Sequence, residues 1–248
     1  SGLLTISPMN WRHCWTIAMK RFYKESKKVP AVFPIIVISS ISRPFPWGNE
    51  DTARILEILE KHDVRVTFFM TGGWMNKYPD DVKAILAAGH DLGNHSQNHK
   101  QMSTLSLEKC KEELTEPHEF IKELTGNEMI LFRPPYGDYN DTVINAAEAC
   151  GYYTIQWDVD SLDWKDYGVD SIIRTVTEHK HLGDGSIILM HNGAKYTADA
   201  LDSVITILKE KGYELVPISE LIIRENFEID HEGRQYSVAA PSGSAGSG

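Results

Sequence analysis

The stretch HDLGNHSQNH at residues 90–99 contains the pattern from which the fold of the chain is predicted. Its first half, residues 90–94, is a short strand candidate, and two histidines, His95 and His99, follow it directly. From residue 35 onward the same arrangement recurs, because short β-branched runs alternate with segments of helical periodicity. Such alternation is typical of βα units that build a parallel sheet, either as a barrel or as a doubly wound sheet.

Seven runs are predicted strands, and segments with helical spacing lie between them. The strands are expected at Ile35–Ile41, Val64–Met70, His90–Asn94, Met129–Phe132, Tyr152–Trp157, Ser186–His191 and Glu214–Pro217. The helices are expected at Glu50–His62, Pro79–Ala88, Ser106–Leu124, Asn140–Cys150, Val169–Lys180 and Thr197–Lys211. In the last helix, Leu201, Val204, Ile205 and Leu208 have the i, i+3, i+4, i+7 spacing of one buried face.

Polar residues follow four of these strands at the point where each strand ends. They are HSQNH (95–99), RPPYG (133–137), the group Asp158, Asp160, Asp163 and Trp164, and HNG (191–193). Both topologies that fit the pattern place their chemistry at the carboxyl ends of the strands. The sequence therefore predicts that these residues converge on one mouth.

Each candidate also has a structural interpretation. Two histidines four residues apart can bind one divalent metal, but histidines with this spacing also occur on solvated surfaces. Arg133 precedes two rigid prolines and is either a functional cation or the partner of a structural carboxylate. Asp163 and Trp164 fit a turn acid and a core aromatic, and His191 fits a buried histidine with satisfied hydrogen bonds. Each structural interpretation is acceptable alone, but it is less probable that all of these residues have only structural roles than that they form one site.

Composition and charge restrict the class of protein. With 248 residues and 42% hydrophobic side chains, the chain has enough apolar material for one sizeable core. The net charge of -10 opposes binding to nucleic acid, and no apolar run is long enough to span a bilayer. Three cysteines, Cys14, Cys110 and Cys150, imply no disulfide framework. The sequence says nothing about oligomeric state.

Three regions are expected along the chain. Residues 1–34 are a basic leader or extension, residues 35–225 are the α/β domain, and residues 226–248 are a carboxyl-terminal tail. The Gly/Ser-rich end from Pro241 to Gly248, and Ser1–Gly2 at the start, are typical of an engineered chain.

The motifs HSQNH (95–99), RPPYG (133–137), DSLDW (160–164) and IILMH (187–191), in this order, resemble those of the carbohydrate esterase 4, or NodB-like, polysaccharide deacetylases. The resemblance covers about residues 35–222. The stretch from Trp47 to Asp51 and the run from Phe68 to Gly73 are similar to the branch found in spore-forming bacteria. The resemblance implies a deformed (β/α) barrel of about seven parallel strands, and an extracellular or envelope-associated protein.

The activity that the resemblance implies is the hydrolysis of an N-acetyl group on an amino-sugar polysaccharide such as chitin or peptidoglycan. It implies a divalent metal, Zn²⁺ above all, on His95 and His99. His191 would be the general acid and Asp163 its partner, while Arg133 would orient the base. The backbone N–H of Tyr136 would bind the oxyanion. The acetyl pocket would be lined by Trp164, Ile187 and Leu189.

The first motif of that family is missing. Where the family has one or two aspartates after the first strand, this chain has SRPFP at residues 42–46, with Pro44 at the position of the general base and Phe45 at that of the second aspartate. Glu50 and Asp51 follow at a helix start, where acids are expected as caps, so neither is expected to replace the base. We therefore expect low or no activity and a weakly bound or absent metal.

Three interpretations remain open at this level. The chain is a working deacetylase with an unrecognised base, an impaired relative that still binds glycan or metal, or an engineered scaffold of the same fold. Five aromatic residues near the expected mouth suit stacking on sugar rings or packing in the core. They are Trp47, Trp74, Tyr136, Tyr139 and Trp164.

Overall fold

The computed structural model describes residues 21–23, 35–40 and 48–238. In this part of the chain the strands are β1 (Arg21–Tyr23), β2 (Ile35–Ser40), β3 (Thr67–Met70), β4 (Asp91–Asn94), β5 (Leu131–Phe132), β6 (Tyr153–Thr154), β7 (Val159–Asp160), β8 (Ile187–His191), β9 (Phe227–Ile229) and β10 (Arg234–Ser237). The helices are α1 (Thr52–Lys61), α2 (Gly72–Lys77), α3 (Pro79–Ala87), α4 (Leu107–Thr125), α5 (Asp141–Ala149), α6 (Val169–Thr177), α7 (Thr197–Glu210) and α8 (Ile218–Leu221).

Seven strands form one sheet in the order β6-β5-β4-β3-β2-β8-β7, and all their pairings are parallel. The sheet curls into an incomplete barrel, with β6 and β7 at its two edges. Helices follow most strands and cover the outside. The predicted α/β class, a deformed barrel of about seven parallel strands, is confirmed.

One of the seven predicted strands was wrong. Residues Glu214–Pro217 are not a strand and directly precede α8. The seventh strand is instead β7, which pairs with β8 through Val159 opposite Ile188 and Asp160 opposite Leu189. A two-residue strand has no periodicity of its own, so its assignment depends on the partner strand. The helix α2 was also absent from the prediction.

The two faces of the sheet bury different residues because side chains alternate along a strand. One set, including Ile36, Ile38 and Ile188, belongs to the core cluster that includes side chains of the covering helices. The other set, including Val37 and Leu189, belongs to a second cluster on the opposite face. The period of two continues to the strand ends, so Ser39 and His191 share the face of this second cluster at the carboxyl end of the sheet.

The helices begin and end where the sequence provides capping residues. Ser106 caps α4 by accepting a hydrogen bond from the backbone N–H of Lys109, and Gly126 ends the helix in the left-handed conformation at φ 75°. Asn140 caps α5 in the same way as Ser106 caps α4. The apolar stripe predicted for α7 is confirmed, because its four residues are fully buried. Both capping residues, Ser106 and Asn140, lie at the ends of loops that contain predicted site residues.

A second, three-stranded sheet joins the two ends of the chain. β1 pairs in parallel with β10, and β10 pairs antiparallel with β9. Strands thus occur in both the expected leader and the expected tail, and the division at residues 34 and 225 stays a proposal. Within the described ranges, no helix combines the length and apolar composition that a membrane crossing requires.

Candidate active site

The residues predicted to form the site lie on loops and strand ends at the carboxyl edge of the sheet. His95 directly follows β4, Arg133 follows β5, and His191 is the last residue of β8. Asp163 begins a short helical turn after β7. All four are buried, with Arg133 2% exposed and Asp163 fully enclosed. The parallel topology therefore brings together side chains that are up to 96 residues apart in the sequence.

Arg133 contacts both ring nitrogens of His95. Nδ1 of His95 donates to the backbone carbonyl of Arg133 at 2.6 Å, which leaves the lone pair of the neutral ring on Nε2. Nη2 of the Arg133 guanidinium lies 2.8 Å from this Nε2 and donates to it, because a guanidinium has no acceptor. Burial, the charge of Arg133 and the neighbouring His99 hold the pKa of His95 well below its ordinary value. The ring is therefore neutral.

The guanidinium of Arg133 has only uncharged partners. It also donates to the hydroxyl of Ser39, and it lies over the rings of Phe69 and Trp157, at 5.7 and 5.3 Å from their centroids. No carboxylate of the described residues forms an ion pair with it, and its Nε has no hydrogen-bond partner there. Burial lowers the pKa of Arg133 to about 9, against the more distant attraction of two aspartates. The site thus encloses a cation without a directly paired carboxylate.

His99 lies beside His95 but in an unusual backbone conformation. Its φ is 53°, and its backbone N–H donates to the hydroxyl of Ser96. The ring meets that of His95 edge to face at 4.9 Å between centroids, and that of Tyr136 at 4.5 Å. Burial and the nearby charges lower the pKa of His99 to about 4, and its buried Nδ1 has no hydrogen-bond partner in the described structure. Two neutral imidazoles therefore lie next to each other.

The residues present do not fit a catalytic divalent metal. Catalytic zinc sites use three protein ligands, and among the residues that the structure describes no group of three His, Cys, Asp or Glu side chains meets around one point. The lone pair of His95 Nε2, the nitrogen that would bind the metal, accepts from Arg133. Residues 41–47 follow β2 and lie outside the described structure, but their sequence, ISRPFPW, contains no such side chain.

Asp163 and His191 form a complete buried pair. Oδ1 of Asp163 lies 2.7 Å from Nδ1 of His191, while Oδ2 accepts from the backbone N–H of His191 and from the hydroxyl of Thr197, both at 2.6 Å. Burial raises the pKa of Asp163, but the charge of His191 and the three hydrogen bonds outweigh it, so the pKa is below its ordinary value. This carboxylate is ionised and fixes the tautomer of the imidazole.

The two exposed residues of the predicted site lie at its rim. Tyr136 adopts φ 60° in the turn after β5 and is 51% exposed, while Trp164 is 42% exposed with the ammonium of Lys165 over its ring. Tyr167, at 66%, is the third large exposed apolar side chain among the described residues. All three lie on loops after β5 and β7. An aromatic surface therefore borders the mouth.

Ile187 and Leu189 share one face of β8 with His191. The residues between them face the helices. Both Ile187 and Leu189 are buried in the second core cluster. Ile187 begins the strand and so lies about 13 Å from His191, at roughly 3.3 Å per residue. Their role in lining an acetyl pocket, and the oxyanion role of the Tyr136 N–H, stay predictions.

The other aromatic candidates are Trp74, Tyr139 and Trp47, and the acids considered as replacements for the general base are Glu50 and Asp51. Trp74 is fully buried and its indole donates to the carbonyl of Gly48, so it is a core residue. Tyr139 also packs against the core, and Trp47, like Pro44 and Phe45, lies outside the described residues. Burial raises the pKa of Asp51, and the charges that act on it are those of Arg54, Glu50 and Asp199. These groups do not belong to the cluster around Arg133.

The sequence reasoning missed three residues that complete the site. Ser39 and Trp157 contact Arg133, and Thr197 holds the carboxylate of Asp163. Thr197 begins α7, six residues after His191. Ser39 had a detectable signal, because it lies at the end of an apolar strand on the face shared with Val37. Trp157 and Thr197 had none, since no motif includes them.

Comparison with known proteins identifies the family of the chain. Residues 43–155 match the family described as polysaccharide deacetylase. The chain is 36% identical to a peptidoglycan-N-acetylglucosamine deacetylase of Bacillus cereus over 79% of its own length and 91% of that protein. It is 32% identical to the peptidoglycan-N-acetylmuramic acid deacetylase PdaA of Bacillus subtilis, over 74% of this chain and 70% of that one.

The solved structures that it matches include a relative described as a pseudoenzyme. A CE4 family pseudoenzyme from Bacillus anthracis is 37% identical, with a TM-score of 0.72 over 82% of this chain and 67% of that one. A mutant of that pseudoenzyme, described as having restored enzymatic activity, has a TM-score of 0.73 at 37% identity, over 82% of this chain and 70% of that one. With these relatives, and with the four motifs on one curled parallel sheet, the chain belongs to the polysaccharide deacetylase family.

Proposed function

We propose that this protein is a catalytically impaired polysaccharide deacetylase that keeps the capacity to bind an acetylated amino-sugar polymer of the peptidoglycan class. The observation that carries the proposal is the position of Arg133. Its guanidinium contacts Ser39 and His95 and no carboxylate of the described residues. In the family that the sequence resembles, the corresponding arginine orients the general base. Pro44 occupies the position of that base in this chain.

The remaining parts of the machinery support the family chemistry. We propose His191 as the group that would protonate the departing amine and Asp163 as its positioning residue, because the pair is buried and hydrogen-bonded at 2.7 Å. His95 and His99 correspond to the metal-binding histidines, with Zn²⁺ as the metal of an intact site. The loss of a general base costs about 10² to 10⁴ in rate, so the remaining groups do not restore turnover.

Binding is the function that remains. Tyr136, Trp164 and Tyr167 are exposed around the mouth, and aromatic faces of this kind stack on the apolar faces of sugar rings. The similar proteins named above act on peptidoglycan, either on N-acetylglucosamine or on N-acetylmuramic acid. We therefore propose a glycan-binding role at the cell envelope, with chitin oligomers as a simpler ligand of the same chemistry.

The experiment is an acetate-release assay on acetylated chitin oligomers and on peptidoglycan fragments, with Zn²⁺ present. The unaltered chain is compared with a double variant, Pro44→Asp with Phe45→Asp. The matched control is Pro44→Asn with Phe45→Asn, which has similar side-chain volume without the carboxylates. We expect release only from the aspartate variant. Release from the unaltered chain at the rate of that variant contradicts the proposal.

A further inference from the structure

We infer that Arg133 acts as a built-in cation that excludes divalent metal from His95 in this chain. The inference concerns the site described above and rests on the proposed loss of the carboxylate at position 44. It adds a cause for metal loss beyond missing ligands, because the arginine itself occupies the nitrogen that a metal would need.

The lone pair on Nε2 of His95 points at Arg133. Histidines that bind metal typically donate their second ring N–H to a carbonyl or carboxylate, which fixes the tautomer and directs the other nitrogen at the ion. His95 has this arrangement, since its Nδ1 donates to the carbonyl of Arg133 at 2.6 Å. The lone pair on Nε2 is therefore available to a cation, and the cation found there is the guanidinium of Arg133 at 2.8 Å.

This guanidinium is held in place by its neighbours. Phe69 and Trp157 lie against it at 5.7 and 5.3 Å, and an arginine enclosed by aromatic faces gains cation–π stabilisation. The hydroxyl of Ser39 accepts a further hydrogen bond from the same Nη2. A metal that binds His95 must therefore displace a side chain that is 2% exposed and has contacts on several sides.

The charge around the two histidines also opposes the binding of a divalent ion. A divalent ion at His95 and His99 would lie beside the charge of Arg133. That charge forms no ion pair with a carboxylate of the described residues, and Asp160 and Asp163 attract it only from a greater distance. The parts of the chain outside the described structure contain a single acidic side chain, Glu25 of the basic leader. A metal ion and the guanidinium would thus compete for the same lone pair of His95. The guanidinium is always present because it is part of the chain.

The experiment measures metal content and not activity. The unaltered chain, Arg133→Met and Arg133→Lys are dialysed against Zn²⁺ alone, and the bound metal is determined by elemental analysis. We expect Arg133→Met to bind Zn²⁺ about 10- to 100-fold more tightly than the unaltered chain, the size of effect that groups around a metal ligand exert. Arg133→Lys keeps the charge and is expected to bind no more tightly than the unaltered chain.

A third variant assigns the gain to this site. Adding His95→Gln to Arg133→Met is expected to abolish the gain, which separates it from binding to the other histidines of the chain. Two results would overturn the inference. One is an absence of any gain in Arg133→Met, and the other is one equivalent of Zn²⁺ on the unaltered chain that His95→Gln removes.

A second measurement needs no variant and remains informative where Arg133→Met fails to fold. Imidazole ¹⁵N spectra of the unaltered chain are expected to show His95 as the Nδ1-protonated tautomer, with an Nε2 resonance that does not move when Zn²⁺ is added. A shift of that resonance contradicts the inference. Acetate release, which tests the proposed function, does not enter either readout, so the two proposals fail separately.

Discussion

Oδ1 of Asp163 lies 2.7 Å from Nδ1 of His191, and the other oxygen of the same carboxylate accepts from the backbone N–H of His191. One side chain therefore fixes both the ring and the main chain of the last residue of β8. Thr197, at the start of α7, donates to the same carboxylate and links it to the helix layer. The pair keeps the geometry of a catalytic acid although the chain has proline at the sequence position of the family's general base.

Asp163→Ala is expected to destabilise the protein by about 3–5 kcal/mol, because it leaves His191 and Thr197 buried without their shared acceptor. The measurement is the free energy of unfolding in urea at neutral pH. The control is Asp80→Ala, which removes a carboxylate whose side chain is 98% exposed and is expected to change stability by less than about 1 kcal/mol. Equal losses in both variants would contradict a structural role for the pair.

His90 is expected to make stability fall as the solution is acidified. Burial lowers its pKa to about 4, with Asp91 raising it and Arg65 lowering it further, so the folded state keeps this ring neutral where the unfolded chain protonates it. A lowered folded pKa contributes stability above about pH 6.5, and this is lost as pH falls toward 4. The expected loss from this residue is about 2 kcal/mol between pH 7 and 5.

The test of this pH dependence is His90→Asn, since the asparagine oxygen can accept the hydrogen bond that Val66 N–H now donates to Nδ1. Urea unfolding at pH 7 and pH 5 is compared for the two proteins. The variant is expected to lose about 2 kcal/mol less than the unaltered chain over this interval. An identical loss in both would show that another group is responsible.

Gly93→Ala is expected to destabilise the sheet and disturb Arg133. A Cβ at this position of β4 would lie 2.5 Å from the ring of Phe69, whose face contacts the guanidinium. Overpacking of this kind costs about 1–3 kcal/mol. Unfolding in urea measures the loss, and the double variant Gly93→Ala with Phe69→Leu is expected to lose less than the sum of the two single changes. Strict additivity would contradict the clash.

Trp164→Ala is expected to weaken glycan binding about tenfold, the equivalent of about 1.4 kcal/mol for one exposed stacking residue. Titration calorimetry with chitin oligomers and sedimentation with insoluble peptidoglycan provide the measurement. The matched control is Tyr236→Ala, on β10 of the small sheet, which is expected to bind as the unaltered chain does. An undiminished affinity of Trp164→Ala would place the binding surface elsewhere.

The fold was predictable because its signals are local. Short β-branched runs followed by amphipathic segments predict parallel βα units, and the stripe on α7 had the expected buried residues. The exception was the seventh strand, which is Val159–Asp160 and not Glu214–Pro217. Two residues adopt strand geometry there because β8 offers an unpaired edge, and nothing in their own sequence indicates it.

The sequence by itself determined the family, the order of the motifs and the absence of acids at Pro44 and Phe45, since these are properties of residue types in a linear chain. Only the tertiary structure decided what Arg133 does without its partner. Its guanidinium contacts His95, 38 residues away, because parallel strands bring β4 and β5 side by side. A buried guanidinium donates to the nearest lone pair when no carboxylate is present, and the identity of that neighbour is a property of packing.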